Sequence, residues 1–214
     1  MKTPQEIVRI LHNTDPQKAF TQGIGLNPVP NAKDAFEPMQ NVINNEIYNM
    51  TITTFDTHTK EQYEGSFEQS IFKDIHCEFG TDGWKIDTIR TKSYEKFIAF
   101  VSTLKEPFSL KEIGNDVYVT KCEFDVWTND EFVKYIEDNF NPENTIVDVI
   151  GFALNYCVFD AVKGYVERGY KVRIIQDAVK GITNTPDGGI DETFQNSLDW
   201  YNKNNIEFIN SREV

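Results

Sequence analysis

The chain has 214 residues, with 21 Lys and Arg against 34 Asp and Glu, for a formal net charge of −13. Such an acid surplus leaves no basic surface to neutralise phosphates, which excludes nucleic acid and anionic lipid as partners. The length suits one domain, and 39% hydrophobic with 13% aromatic content suits a folded globule.

Residues 7–12 (IVRILH) read as a first strand, rich in apolar and β-branched residues. The loop NPVPNAKDA leads to a helix near 34–48, with Phe36, Met39, Val42, Ile43 and Ile47 at helical spacing. Residues 51–55 (TITTF) form a second strand. Residues 56–90 lack sustained periodicity, carry Gly65, Gly80 and Gly83, and read mostly as a loop. A loop of that length is usually functional. Then follow a helix near 93–104, a strand at 116–120, a helix near 129–139 and a strand at 145–150. A helix at 157–168 stops at Arg168-Gly169, and a strand at 171–176, a helix at about 191–203 and a last strand at 206–210 complete the order. Strands alternating with helices predict an α/β fold: one six-stranded, mainly parallel sheet with helices on both faces.

Cys77, Cys122 and Cys157 are an odd set with no CxxC or zinc-finger spacing, so they read as reduced thiols in a cytoplasmic setting. The first residues, MKTPQEIVRILHNTDPQ, hold no secretory apolar stretch, and no run approaches the ~20 residues of a membrane span.

Ligands of open parallel sheets bind beyond the carboxyl ends of the strands. Following the strands in turn come Asp15, then Asp56 and His58, then Lys121, then Cys157, and finally Asp177. An acid, a lysine and a cysteine thereby reach one edge. Singly, each has an ordinary reading: Asp15 as a turn residue before Pro16, Lys121 as a solvated strand end, Cys157 as a small buried hydrophobe. Jointly they suggest a nucleophile. Cys157 at a helix N-terminus beside a lysine is expected to have a lowered thiol pKa. Asp15 can accept the thiol proton and return it to a leaving amine. Backbone N–H groups before Cys157 can hold an oxyanion. This chemistry is acyl transfer or amide hydrolysis.

Asp56 and His58, at i and i+2 on an extended end, can face one point, and His76 lies in the long loop that follows. An Asp/His/His set suits zinc, iron or manganese, with Glu64 and Glu68 as candidate fourth ligands, against the ordinary reading of Asp56 and His58 as a turn and His76 as a loop residue. His12 reads as structural.

These segments resemble the isochorismatase-like cysteine hydrolases, and among them the nicotinamidases. The similarity rests on DPQKAF at 15–20, FDTH at 55–58, HCEFGTDGWKID at 76–87 and GFALNYCVFDAVKGYVERGYKVRIIQDAVKGI at 151–182. It extends along nearly the whole chain as a single domain, 1–214, with an atypical inserted segment at about 88–115. The resemblance implies a catalytic Asp15, Lys121 and Cys157, with Lys92 as a rival for the lysine. It implies metal ligands Asp56, His58 and His76, with Glu64 in the position of a fourth. It implies oxyanion donors at the N–H groups of Ala153 and Cys157, and a cis peptide at Phe152-Ala153. Phe20 and Phe72 would wall the substrate. The implied activity is hydrolysis of nicotinamide through a Cys thioester, with one divalent metal ion, most readily zinc. A related amidase for another small amide, or a binding protein on the same scaffold, are the alternatives. A small-molecule amide is the expected partner, with a homo-oligomer compatible.

Overall fold

The computed structural model describes residues 6–24, 28–185 and 188–214; residues 1–5 and Asn27 of the Pro-rich loop lie outside them. The chain forms β1 (Val8–Thr14), α1 (Lys18–Gln22), α2 (Phe36–Ile43), β2 (Met50–Asp56), α3 (Lys60–Tyr63), α4 (Phe67–Phe72) and α5 (Tyr94–Val101). It continues with β3 (Leu110–Ile113), β4 (Asp116–Lys121), α6 (Asp130–Asn139), β5 (Thr145–Phe152), α7 (Cys157–Glu167), β6 (Lys171–Lys180), α8 (Glu192–Lys203) and β7 (Glu207–Ile209).

The strands make one sheet in the order β3-β4-β2-β1-β5-β6-β7. It has seven strands rather than six. The added one, β3, is an antiparallel edge paired with β4 across the Gly114-Asn115 turn, and every other pairing is parallel. The chain runs from β1 outward through β2 and β4, then returns to the other side of β1 as β5. The crevice at that reversal opens at the carboxyl ends of β1, β2, β4 and β5.

Side chains alternate along the strands, so each face of the sheet has its own core. On one side Leu11, Phe55, Tyr118 and Ile150 pack with Met39 and Val42 of α2 and Phe97 of α5. On the other, Ile10, Ile52, Val119 and Val149 pack with Phe132 of α6, Val158, Val162 and Tyr165 of α7 and Tyr201 of α8. The atypical segment at 88–115 is part of this structure. Its α5 stacks Phe97 on Tyr118 with ring centroids 3.9 Å apart, and its β3 widens the sheet.

Two further expectations need correction. The helix expected over 34–48 ends at Ile43, because Asn44 caps it and the Asn45 side chain accepts the N–H of Ile47, turning the chain away. Ile47 is thus outside the helical face and 40% exposed. The stretch 56–90 contains α3 and α4, each started by a hydroxyl cap: Thr59 accepts from Gln62 N and Ser66 from Gln69 N. A short α1 follows β1, closed by Gly23 in the left-handed conformation.

The crevice depends on a close approach of β5 to β1. Gly151 sits at φ 111°, and a Cβ there would overlap the Thr14 carbonyl and amide. Gly151→Ala is therefore expected to destabilise the fold by about 3 kcal/mol or more, measured by urea unfolding. A loss below about 0.5 kcal/mol would contradict this packing.

Candidate active site

β1 ends by turning Asp15 out at φ 44°, a left-handed conformation that Asp adopts more readily than most residues. Thr54 of β2 holds it: the hydroxyl donates to Asp15 Oδ1 at 2.6 Å and accepts from the Asp15 N–H at 3.2 Å. Gln17 ties the same turn to β2. Its amide nitrogen donates to the carbonyls of Asp56 (2.8 Å) and Trp84 (2.9 Å), and its oxygen accepts from the Asp56 N–H (2.8 Å). Neither Thr54 nor Gln17 is singled out by sequence reasoning. A buried Gln in a fixed DxQ spacing is the signal that was present for one of them.

Lys121, the last residue of β4, is 5% exposed and reaches the centre of the crevice. Its Nζ lies 2.9 Å from Asp15 Oδ2, 3.8 Å from Asp56 Oδ1 and 3.3 Å from Cys157 Sγ, and donates to the Glu123 carbonyl at 3.1 Å. Burial works against the ammonium, but Asp15, Cys157 and Asp56 outweigh it and hold the lysine well above its usual range. The rival Lys92 is exposed and pairs with Glu46 at 3.5 Å. It lines a cavity with Asn115 and Asp116, at the start of β4 and thus the opposite end of the strand from Lys121.

Cys157 opens α7 and is 4% exposed. The peptide Phe152-Ala153 is cis. Among the described residues the N–H groups of Ala153 and Cys157 donate to no protein acceptor, while the neighbouring N–H groups of Leu154 and Tyr156 donate to Lys180 and Ala153 carbonyls. The two open donors lie on the segment that leads from β5 into α7. The thiol itself departs from expectation. Burial pushes it well above its usual range, and Asp15, Asp56 and Glu68 add to the rise against the pull of Lys121. At rest the sulfur keeps its proton. Burial likewise raises the Asp15 carboxyl, opposed by Lys121 and reinforced by Asp56, which makes it a better proton acceptor in situ.

Beside this trio lies a nest of Asp56, His58, Glu68 and His76, all buried, with one ligand atom from each within 4.8 Å of the others. His58 Nε2 is 3.2 Å from Asp56 Oδ2 and 3.1 Å from Glu68 Oε2, and His76 Nε2 is 3.2 and 3.6 Å from the same atoms. Tyr63 O–H donates to the Asp74 carbonyl at 3.0 Å and sits 3.3 Å from His76 Nδ1, so it orients the ring with Nε2 toward the nest. Glu64 is not in the nest. It ends α3 on the exposed surface, and α4, restarted after Gly65, turns Glu68 inward instead.

The nest fits a divalent cation on its donor chemistry. Glu68 Oε1 is buried and accepts no hydrogen bond, a costly state for a carboxylate oxygen unless a cation meets it. Burial lowers the pKa of both imidazoles, but Asp56 and Glu68 overcome it and lift each to about 9. Burial also opposes ionisation of Asp56, yet Lys121 and His58 hold it well below the usual carboxylate range. The site thus gathers positive charge, as protons if not as metal.

The rings of Phe20 and Phe72 stand edge-on to His76, with centroids 5.9 and 5.4 Å away. Phe72 also meets Phe124 and Tyr156.

With this geometry in place, comparison with known proteins decides the family. The model of the isochorismatase domain matches residues 10–196. The chain belongs to the isochorismatase family. Within that family, a nicotinamidase of Saccharomyces cerevisiae is 25% identical over 138 residues, which span 63% of this chain and 59% of that protein. The N-carbamoylsarcosine amidase of Thermoplasma acidophilum superposes with a TM-score of 0.69 at 16% identity, covering 97% of this chain and 99% of the other. The pyrazinamidase of Pyrococcus horikoshii, in complex with zinc, gives 0.69 at 19% identity, covering 94% and 98%. These structural likenesses establish an isochorismatase-like fold.

Proposed function

We propose that this isochorismatase-family protein is a metal-dependent cysteine amidohydrolase acting on nicotinamide. The observation that carries the reading is Lys121, one buried ammonium touching both Asp15 and Cys157, directly beside the Asp56/His58/Glu68/His76 nest. The curated relative that is a nicotinamidase supports the substrate.

Asp15 takes the proton from Cys157 as the sulfur attacks the carboxamide carbon. The oxyanion that forms is held by the N–H groups of Ala153 and Cys157. Asp15 returns the proton to nitrogen, the C–N bond breaks and ammonia leaves, with the acyl group on sulfur. Asp15 then takes a proton from water, whose oxygen attacks the thioester; the C–S bond breaks, the proton returns to sulfur and the acid departs. Lys121 keeps its charge throughout and balances the anion that passes between Asp15 and Cys157. Phe20 and Phe72 hold a planar ring. Asp56, His58, Glu68 and His76 would hold a divalent cation, with zinc the first candidate and iron or manganese the others, and it would supply Lewis-acid attraction for a ring nitrogen. The need for an unpaired Cys157 suits the reducing cytoplasm.

Ammonia release is expected to be at least tenfold faster from nicotinamide than from benzamide, which lacks the ring nitrogen. Ammonia from neither would overturn the reading. Faster release from an aliphatic ureido acid would favour the second reading, a different small amide, which the equal likeness to an N-carbamoylsarcosine amidase supports.

Metal should also stabilise the fold. The two imidazoles, raised from 6.5 to about 9, contribute stability that is complete below about 6.5 and lost as pH rises through about 9. In chelator, the melting temperature is expected to fall between those values. Zinc at a hundred times its Kd should add about 2.7 kcal/mol, or roughly 5–10 °C for a chain of this size. A melting curve indifferent to zinc and chelator at pH 8 would remove the metal from the proposal.

A further inference from the structure

Behind the ring wall of the active site lies a second recess, which the proposed hydrolysis does not use. It is a groove of about 500 Å³ lined by rings of Phe124, Tyr156, Phe159 and Trp200, with Asp160 among them. The volume is that of a small-molecule site.

Its rings are held in place. Tyr156 O–H donates to Asp191 at 2.7 Å, Phe124 stands edge-on to Tyr156 at 5.2 Å, and Phe159 stands edge-on to Trp200 at 5.3 Å. The carboxylate is the unusual member. Asp160 lies in the first turn of α7, partly buried, and among the described residues its side chain makes no hydrogen bond or ion pair. The cations that act on it are engaged elsewhere. Lys163, on the same helix, is 3.9 Å from Glu167, and Lys121 serves Asp15 and Cys157. The other acid acting on it, Asp125, is occupied in capping the Trp127 N–H at 2.9 Å. Burial and the charge of Asp125 lift the Asp160 carboxyl to about 6, which leaves it largely ionised at neutral pH and short of a counter-charge.

A carboxylate set among aromatic faces recognises one class of ligand well. Ring faces are negative and attract a cation, and the carboxylate completes the charge. An anion is repelled by both, and a neutral ring gains only the burial of its surface. We propose that this groove binds a monovalent organic cation with an apolar body, an aryl- or alkyl-ammonium, against Asp160 and the rings of Phe124, Tyr156 and Trp200. None of Asp15, Lys121, Cys157 or the four residues of the nest lines the groove, so it is separate from the reacting groups.

The test is calorimetric titration of the whole chain with benzyltrimethylammonium, with benzyl alcohol and benzoate as neutral and anionic counterparts. Saturable binding of the cation is expected, at least tenfold tighter than benzyl alcohol, with no binding of benzoate. Asp160→Asn should weaken the cation tenfold or more and leave benzyl alcohol unchanged, and Asp160→Glu should restore part of the loss. Asp199→Asn, on the exposed side of α8, should change nothing, which separates a specific carboxylate from net charge. Melting curves establish that each variant is folded. Equal affinity for the cation and the alcohol, an unchanged Asp160→Asn protein, or the absence of saturation in the millimolar range would each overturn the proposal.

Discussion

Cys157→Ala is expected to reduce ammonia release from nicotinamide by about 10⁴-fold or more, while the melting temperature stays within a few degrees of the parent. In the proposed mechanism the sulfur is the atom that bonds to the carboxamide carbon. Asp15 and Lys121 remain when it is removed, and they offer proton transfer and charge but no nucleophile. The structural cost is small because the variant loses only one buried sulfur, and Lys121 keeps its 2.9 Å contact with Asp15. The raised thiol adds a second arm. Burial and three carboxylates hold the sulfur protonated at rest, so iodoacetamide should modify Cys157 slowly at pH 7 and faster as pH rises. Full turnover by Cys157→Ala would end the thioester mechanism.

That slow labelling reverses what residue types alone suggest. A cysteine at a helix N-terminus near a lysine reads as an activated thiolate. What the sequence does not display is that Asp15, Asp56 and Glu68 converge on the same buried volume and outweigh one ammonium. The proposed trio was legible because Asp15 directly follows β1, Lys121 ends β4 and Cys157 opens the helix after β5, and a parallel sheet brings such positions to one edge. The choice between Glu64 and Glu68 was not. It depends on Gly65 at φ 79° breaking α3 from α4, which sets which of two nearby glutamates turns inward. Elements of four to six residues, such as α1, α3 and α4, are too short to show a helical period. β3 escaped notice for a related reason: LKEI is four residues on a half-buried edge, with no continuous apolar run.

The other large effect is expected at Lys121, where stability and activity are joined. Its Nζ faces Asp15, Asp56 and Cys157, all of them buried. Lys121→Met keeps most of the side chain's length and removes the charge, leaving two carboxylates without their shared partner. Breaking a buried pair from one side costs about 3–5 kcal/mol, which for a chain of this size is roughly 6–20 °C in melting temperature. Asp15 would then stay protonated to a higher pH, and a protonated Asp15 cannot take the thiol proton, so ammonia release should also fall by about 10²-fold or more. A fall in activity alone cannot tell chemistry from a damaged fold, but the pair with Asp15 can. Adding Asp15→Asn removes the carboxylate that lost its partner, so the double variant should recover part of the lost stability while remaining inactive. Recovery of stability without activity identifies an ion pair kept for catalysis. A Lys121→Met protein as stable and as active as the parent would show instead that the ammonium at the centre of the crevice is incidental to both.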